Sequence, residues 1–227
     1  MTRRCLVVRG GWEGHDPVGT TDSFVPALEA QGFSVVVHES PEIYADATVM
    51  AGVDLVVQSI TAGEISADAV DGLRDAVASG TGLVGWHAGL VAAFADSLQY
   101  AHLLGALFVA HPGDGTGPAG SPAYRDYEVT FTPEGRSHDL TAGLADFSLR
   151  TEQYWLLTDP GLDVLATTEL VPLEGDEWAR PLTMPVAWTR QWGRGRIFTT
   201  TLGHTLEVVR RPEVVAMMER SFAWAAR

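Results

Sequence analysis

The sequence of 227 residues predicts an α/β fold with a mainly parallel β-sheet. Short apolar runs rich in β-branched residues alternate with segments whose apolar residues recur at helical spacing. Such alternation is typical of βαβ units, whose right-handed crossovers place helices on both faces of a sheet. No linker and no internal repeat interrupts this pattern, so we predict a single domain over residues 1–227.

Four buried strands are predicted in the first half of the chain, because each run is short, apolar and rich in β-branched residues. They cover residues 4–9, 33–38, 54–58 and 83–84. Ligands bind such sheets beyond the carboxyl ends of the strands. One shared site is therefore predicted from the residues at three of these ends, which are Gly10-Gly11, Gln58-Ser59 and His87.

Two helices are predicted between these strands. The first follows a polar loop over 12–20 and would be capped by Asp22 or Ser23. Ser66 would cap the second, and Gly80 would end it. Its apolar face would consist of Val70, Leu73 and Val77.

The second half of the chain is predicted to add strands to the same sheet. Residues 185–192 and 196–201 flank Gly193-Arg194-Gly195, which is the signal of an antiparallel hairpin near the C-terminus. The other predicted elements are a Gly- and Pro-rich loop over 111–122, a strand over 127–132 and a final helix with Pro212 in its first turn.

Charge and composition narrow the classes of partner and compartment. The net charge is −14, from 15 basic and 29 acidic residues, and this disfavours nucleic acid and anionic membranes. The apolar run at residues 6–8 is too short for a signal peptide, and no stretch reaches transmembrane length. A lone cysteine permits no intramolecular disulfide. We therefore expect a cytoplasmic protein.

The segment Gly85-Trp86-His87-Ala88-Gly89 has the pattern of a nucleophile elbow, a tight turn between a strand and a helix. Such a turn lifts its central side chain to the mouth of the sheet. A hydrolase would carry Ser at this position and a glutamine amidotransferase would carry Cys, but this chain carries His87. The role of a histidine at that point becomes the central question.

Several stretches of the chain resemble the ThuA-like (trehalose utilisation) family. They are residues 184–189, 193–198 and 202–204, the elbow at 85–89, the pair His111-Pro112, and residues 10–15, 137–144 and 151–154. The last stretch lacks the first acidic residue of the family pattern. The resemblance implies a flavodoxin-like three-layer α/β/α sandwich similar to class I glutamine amidotransferases. It also implies an association with sugar metabolism, without a settled reaction.

Glutaminase chemistry is not expected, because it needs a thiolate nucleophile. The single thiol belongs to Cys5, near the start of the first predicted strand and away from the carboxyl ends of the strands. Cys5 is predicted to be a core residue.

The candidate catalytic residues are His87, Glu152 and His204. A helix that begins directly after His87 would favour its neutral imidazole, which suits a general base or a metal ligand. One carboxylate and two imidazoles could carry out acid/base work on a hydroxyl or carbonyl substrate. The alternatives are that His87 only fills the space of a lost cysteine, that Glu152 forms a surface ion pair and that His204 caps a turn.

A sugar-like ligand is expected to contact a second group of residues, namely Gly11, Trp12, His15, Trp86, His111 and Tyr154. No cofactor is predicted. The glycines at 10–14 do not form a nucleotide-binding motif, and no histidine pair has the spacing of a zinc-binding helix. A metal site would have to be assembled from separate loops, with His15, His111 and His138 as further ligand candidates beside His87 and His204.

Three functions remain open at this point. The first is an enzyme that uses acid/base chemistry for hydrolysis, elimination or isomerisation of a sugar or a sugar-derived small molecule. The second is a carbohydrate- or metabolite-binding module without catalysis, and the third is a metal-dependent hydrolase. A homodimer is expected only because two-fold symmetric dimers are the commonest oligomers.

Overall fold

Two β-sheets and nine α-helices are present in the part of the chain that the computed structural model describes, residues 2–112, 124–174, 176 and 178–227. The strands are β1 (Arg3–Gly11), β2 (Phe33–His38), β3 (Leu55–Thr61), β4 (Gly82–Trp86), β5 (Ala106–Ala110), β6 (Tyr124–Phe131), β7 (Phe147–Glu152), β8 (Trp155–Thr158), β9 (Asp163–Leu170), β10 (Leu182–Trp192) and β11 (Gly195–Thr200). The helices are α1 (Pro17–Asp22), α2 (Val25–Ala30), α3 (Ala47–Ala51), α4 (Ala67–Ala78), α5 (Ala88–Val91), α6 (Leu98–Leu104), α7 (Pro133–Ser137), α8 (Leu206–Val209) and α9 (Pro212–Ala225). Short 3₁₀ helices cover Glu13–His15 and Pro41–Ala45.

The larger sheet has the strand order β2-β1-β3-β4-β11-β10-β9-β6-β7 across the described residues. The pairings from β2 to β11 are parallel, and those from β11 to β7 are antiparallel. Since two successive antiparallel pairings restore the original direction, only β10 and β6 run against the other strands. The fold is therefore mixed α/β with a large, mostly parallel central sheet, as the alternation of strands and helices predicts.

Strand β1 shows why the sheet is buried on both faces. Its residues alternate between two hydrophobic clusters, as the two-residue period of a strand requires. Cys5 and Val7 belong to the cluster that contains Phe222 of α9, whereas Leu6 and Val8 belong to the cluster that contains Leu73 of α4. Helices thus cover both faces of the sheet, and the parallel strands need apolar side chains on each face.

Several predicted elements are confirmed. The helix with its cap at Ser66 is α4, and the Ser66 hydroxyl accepts a hydrogen bond from the Ala69 amide. Strands β10 and β11 form the predicted antiparallel hairpin, and α9 begins with Pro212 in its first turn. The predicted strands over 4–9, 33–38, 54–58, 83–84 and 127–132 correspond to β1, β2, β3, β4 and β6.

Other predictions are wrong in detail. The polar loop predicted over 12–20 contains a helical turn and most of α1, which Asp16 caps by accepting a hydrogen bond from the Gly19 amide. Asp22 ends that helix, so it does not cap the next one. The added strands do not all join one sheet, because β5 and β8 form a separate antiparallel pair. Of the loop predicted over 111–122, residues 113–122 lie outside the described residues.

Across the described residues, every helix is too short or too polar to traverse a lipid bilayer.

Candidate functional site

The turn after β4 has the geometry that its sequence predicts. Strand β4 ends at Trp86, α5 begins at Ala88, and His87 lies between them with φ 50° and ψ −149°. A positive φ is unfavourable for a residue with a side chain and costs about 1–3 kcal/mol. Such strain concentrates at functional sites, where the surrounding structure holds the residue in place. The elbow therefore presents His87 in a strained, fixed orientation.

The two glycines of the elbow are required by its close approach to β3. A Cβ atom on Gly85 would lie 2.6 Å from the carbonyl oxygen of Gln58, and one on Gly89 would lie 2.8 Å from the Cα of Ser59. Neither contact can be relieved by a side-chain rotation, because the neighbouring atoms belong to the backbone. The small residues on either side of His87 thus let the turn pack directly against the neighbouring strand.

A buried hydrogen-bond network beneath the elbow was not expected from the sequence. The Gln58 amide donates to the Tyr100 hydroxyl at 2.6 Å and to the Gly89 carbonyl at 3.2 Å. The Tyr44 hydroxyl donates to the Gln58 side-chain oxygen at 2.9 Å, and the Tyr100 hydroxyl donates to the Leu90 carbonyl at 2.9 Å. The network therefore holds the first turn of α5. The sequence feature that could have predicted this network is Gln58, a polar residue that follows the apolar run Leu55-Val56-Val57 in β3.

The imidazole of His87 is buried and fixed at both nitrogens. Its Nδ1 lies 2.8 Å from the carbonyl oxygen of Thr201, just beyond β11. A carbonyl only accepts hydrogen bonds, so Nδ1 carries the proton and donates it. The Nε2 of the neutral ring then has a free electron pair, and the Tyr154 hydroxyl donates to it at 2.8 Å. The backbone thus sets the tautomer of His87 and directs Nε2 toward the other site residues.

Glu152 brings a carboxylate to the same point. It is the last residue of β7, where the chain leaves the large sheet and continues toward β8. Its Oε2 lies 3.2 Å from Nε2 of His87, 2.9 Å from Nδ1 of His204 and 3.4 Å from Nε2 of His111. The three predicted catalytic residues, His87, Glu152 and His204, are therefore in mutual contact.

His15 completes a group of four side chains, and we call His15, His87, Glu152 and His204 the His/Glu cluster. One potential metal-ligand atom from each of them lies within 4.8 Å of all the others. The ring centroid of His15 is 4.8 Å from that of His87 and 4.9 Å from that of His204. Its Nδ1 lies 2.9 Å from the Thr61 hydroxyl at the end of β3. The cluster thus forms at the carboxyl ends of several strands.

The electrostatics of the His/Glu cluster favour a charged Glu152 and neutral imidazoles at His15 and His87. Burial, together with the neighbouring His87 and His204, lowers the pKa of His15 to about 3. Burial also lowers the pKa of His87, against the opposing effect of its contact with Glu152. Burial alone would raise the pKa of Glu152, but His204 and His87 outweigh it and hold that pKa below its usual range.

Most of the predicted ligand-contacting residues lie at or beside the cluster. Tyr154 and His111 contact it directly through His87 and Glu152. Trp12 is 56% exposed and stacks edge-on with His15 at a centroid distance of 4.7 Å. Gly11 ends β1, where it pairs with Thr61 and leads into Trp12.

Trp86 does not belong to this group, because its side chain lies in the core, and its contact with a ligand stays an untested prediction. Its side chain is 2% exposed and packs in the core against Phe24, because residues next to each other in a strand point to opposite sides. Gly203 also lies against its ring, where an added Cβ atom would come within 2.6 Å of Trp86. Trp86 therefore supports the elbow from inside the molecule.

Two other side chains occupy structural positions. Cys5 is 1% exposed in the middle of the core, and burial raises the pKa of its thiol to about 12. His138 accepts a hydrogen bond from the Leu140 amide and contacts Trp224, so it orders a turn away from the cluster. Cys5 as a core residue is thus confirmed, and His138 is not part of the candidate site.

A cavity of about 560 Å³ is lined by a neighbour of the cluster, Tyr124, but by none of the four cluster residues. Tyr124 lines this cavity, and its ring contacts the ring of His204 at a centroid distance of 5.1 Å. The other lining residues are mostly polar or charged, and they include Asp126, Glu128, Arg150 and Gln153. A volume of this size accommodates a small organic molecule, and the lining offers many hydrogen-bonding groups.

Comparisons with known proteins agree on the family. The model of the ThuA (trehalose utilisation) family matches residues 4–225. Solved structures similar to this one include a putative ThuA-like protein from Parabacteroides merdae ATCC 43184, with a TM-score of 0.72, 18% identity, and coverage of 99% of this chain and 90% of that one. Another is a putative ThuA-like protein from Bacteroides uniformis ATCC 8492, with a TM-score of 0.74, 15% identity, and coverage of 98% and 91%.

A third similar structure is a protein from Salmonella typhimurium LT2 that is named a cytoplasmic protein, with a TM-score of 0.65, 14% identity, and coverage of 99% of this chain and 100% of that one. At these identities the structural likeness shows the fold alone. No curated protein matches the sequence at a significant level. The family match covers nearly the whole sequence, and on that ground the chain belongs to the ThuA (trehalose utilisation) family.

Proposed function

We propose that this protein is an enzyme that moves protons on a sugar or a sugar-derived small molecule, with His87, Glu152 and His204 as its catalytic residues. The reaction would be a hydrolysis, an elimination or an isomerisation, each of which needs a base and an acid at a hydroxyl or carbonyl group. Glutaminase activity is not part of the proposal, because the elbow carries His87 and the only thiol is buried at Cys5.

One observation carries the proposal: a single carboxylate oxygen of Glu152 lies within 3.4 Å of three imidazole nitrogens. Charged and titratable groups concentrated in this way at strand ends are costly for stability, and active sites are where such costs occur. The strained backbone of His87 at the same point adds independent support. A turn that only connects a strand to a helix would use a residue that tolerates the conformation, such as glycine.

The sugar-like ligand is proposed from the surroundings of the cluster. Trp12 presents an exposed aromatic face beside His15, and aromatic faces stack on sugar rings. The polar cavity next to Tyr124 offers donors and acceptors of the kind that hydroxyl groups need. The family description, trehalose utilisation, agrees with this class of ligand.

The test is a screen of mono- and disaccharides, with trehalose and oxidised sugars included, in which turnover by the purified protein is followed by NMR. We expect at least one sugar to be converted, and Glu152→Gln to reduce its turnover by more than 100-fold. Glu134→Gln is the matched control, because Glu134 is exposed on α7 and away from the cluster.

Three outcomes separate the candidate functions. Loss of turnover in Glu152→Gln but not in Glu134→Gln supports the enzyme. Sugar binding without conversion by the wild-type protein contradicts the enzyme and favours a non-catalytic binding module. Equal turnover by the wild type and by both Glu152→Gln and His87→Ala would remove the cluster from the catalytic site.

The remaining expectations accompany this proposal. We propose a cytoplasmic location, which agrees with the name of the Salmonella typhimurium protein of similar fold. The kinship with class I glutamine amidotransferases, the organisation as a single domain and the homodimer stay predictions. So does the expectation that neither nucleic acid nor a membrane is a partner, which rests on the net charge of −14.

A further inference from the structure

We infer that the His/Glu cluster is a binding site for one divalent transition-metal ion, with zinc as the best candidate, held by His15, His87, Glu152 and His204. The inference deepens the proposed function, because it names the cofactor of the same site. The four side chains act as ligands, and a water or substrate hydroxyl that adds to the ion as a fifth ligand takes over the proton transfer.

The distances within the cluster match those between ligands of one ion. At zinc–ligand distances of 2.0–2.2 Å, neighbouring ligand atoms of a tetrahedral site lie about 3.3–3.6 Å apart. Nε2 of His87 lies 3.2 Å from Oε2 of Glu152 and 3.3 Å from Nδ1 of His204. The third edge among these three atoms, from Oε2 of Glu152 to Nδ1 of His204, is 2.9 Å, and the ligand atom of His15 lies within 4.8 Å of each of them. Small side-chain rotations would complete such a site.

The hydrogen bonds behind the ligands are those of a metal site. A histidine that binds a metal through one nitrogen normally donates a hydrogen bond from the other, which fixes the ring. His87 donates from Nδ1 to the Thr201 carbonyl, and an ion at its unprotonated Nε2 would replace the hydrogen bond from the Tyr154 hydroxyl. His15 has Nδ1 against the Thr61 hydroxyl, which leaves its Nε2 for the ion. Two rings are therefore oriented before any ion arrives.

The charges in the cluster also favour a cation. Oε2 of Glu152 is buried, and no hydrogen bond of good geometry reaches it from the described residues. The Nε2 of His87 carries no proton and already accepts a hydrogen bond from Tyr154, so it repels this electron-rich oxygen 3.2 Å away. One cation between the ligand atoms turns this repulsion into attraction and satisfies the carboxylate. A set of imidazoles with one carboxylate suits zinc and related first-row metals better than calcium or magnesium.

The ion would remain accessible from one side. His87 is 1% exposed and His204 is 8% exposed, so they form the floor of the cluster. His15 is half-buried and stands beside the exposed Trp12. A substrate could therefore approach the ion past His15 and expand its coordination from four ligands to five.

The test uses the full-length protein after removal of metal with a chelator, followed by titration with Zn²⁺ in a calorimeter and with Co²⁺ in a spectrophotometer. We expect one ion per chain, with the intense visible absorption of four-coordinate Co²⁺. His15→Ala and Glu152→Gln should each weaken binding by more than 100-fold. Thr61→Val, which removes only the partner of His15, should weaken it by about 10- to 100-fold. His138→Gln, the matched control, should bind like the wild type.

Three results would overturn the metal site. They are the absence of stoichiometric binding, equal binding by the wild type and by His15→Ala and Glu152→Gln, and a loss in His138→Gln as large as in those two variants. Circular dichroism of each metal-free variant separates lost ligands from lost folding, and His15→Ala is the safest variant because its side chain is only half-buried.

The same experiment separates this inference from the proposed function. Sugar turnover by the metal-free protein at the wild-type rate would contradict the metal site and leave the enzyme proposal standing. A stoichiometric ion, bound as described but without turnover of any sugar, would support the metal site and contradict the enzyme proposal.

Discussion

Nδ1 of His87 donates a hydrogen bond to the carbonyl oxygen of Thr201 at 2.8 Å, and this bond joins the turn after β4 to the segment that follows β11. His204 lies three residues beyond Thr201, and its Nδ1 is 3.3 Å from the other nitrogen of the His87 ring. The backbone just beyond β11 therefore orients the ring of His87, and the side chain of His204, from the same segment, contacts that ring. The carbonyl of Thr201 therefore sets both the position and the tautomer of the His87 ring.

The strain at His87 predicts an unusual order of stability between two variants. His87→Ala and His87→Gly both remove the imidazole, but only Ala keeps the unfavourable positive φ of 50°. We expect His87→Gly to have the higher free energy of unfolding, by about 1 kcal/mol, because glycine tolerates this conformation. Urea denaturation measures the difference. Equal stability of the two variants would mean that the turn relaxes once the ring is removed.

The buried network beneath the elbow predicts a large effect at a residue that contacts no ligand. Gln58→Met keeps the length of the side chain but leaves the Tyr44 hydroxyl and the Gly89 carbonyl without their partner. We expect the free energy of unfolding to fall by about 2–5 kcal/mol, since each buried polar group left unpaired costs about 1–3 kcal/mol. Gln99→Met, at an exposed position of α6, is the control and should change stability by less than about 0.5 kcal/mol. A fall of similar size in both variants would contradict the role of the network.

The buried thiol predicts a lack of reactivity. Cys5 is 1% exposed, and burial raises the pKa of its thiol to about 12, so almost no thiolate is present at neutral pH. We expect no reaction with a chromogenic disulfide reagent in the native protein, and one thiol per chain in concentrated guanidinium chloride. Rapid labelling of the native protein would show that the first strand opens readily.

Trp12 predicts a change in ligand affinity without a change in stability. Its side chain is 56% exposed, so Trp12→Ala should alter the free energy of unfolding by less than about 0.5 kcal/mol. We expect its affinity for a sugar substrate to fall several-fold, because the exposed ring beside His15 is lost. Leu98→Ala is the control, since Leu98 is 73% exposed and belongs to α6. Calorimetric titration with the sugar compares the three proteins, and wild-type affinity in Trp12→Ala would exclude Trp12 from the binding surface.

The elbow and the parallel strands could be predicted because their signals are local. The glycines around His87 and the apolar runs before them lie within a few residues of each other, and α4 carries both its cap and its apolar face in one segment. The contact among His87, Glu152 and His204 was one hypothesis from the sequence, beside the alternatives of a surface ion pair for Glu152 and a turn cap for His204.

The rest of the site depends on pairings that no local pattern records. His15 meets Thr61 because β1 and β3 pair in a register that places Gly11 opposite Thr61. The small sheet of β5 and β8 was missed because β8 has only four residues and its partner lies far away in the sequence. The burial of Trp86 follows from the strand alternation around His87, and this alternation was available but not used.

The order of the cluster residues along the chain has a consequence for folding. His15 follows the first strand and His204 follows the last, while His87 follows β4 and Glu152 ends β7. A fragment that lacks either β1 or β11 cannot hold all four side chains together, so the cluster forms only when β1, β4, β7 and β11 are assembled. A molecule or ion bound there would therefore stabilise only the fully folded protein. Its first effect on stability would be on the rate at which the native protein opens.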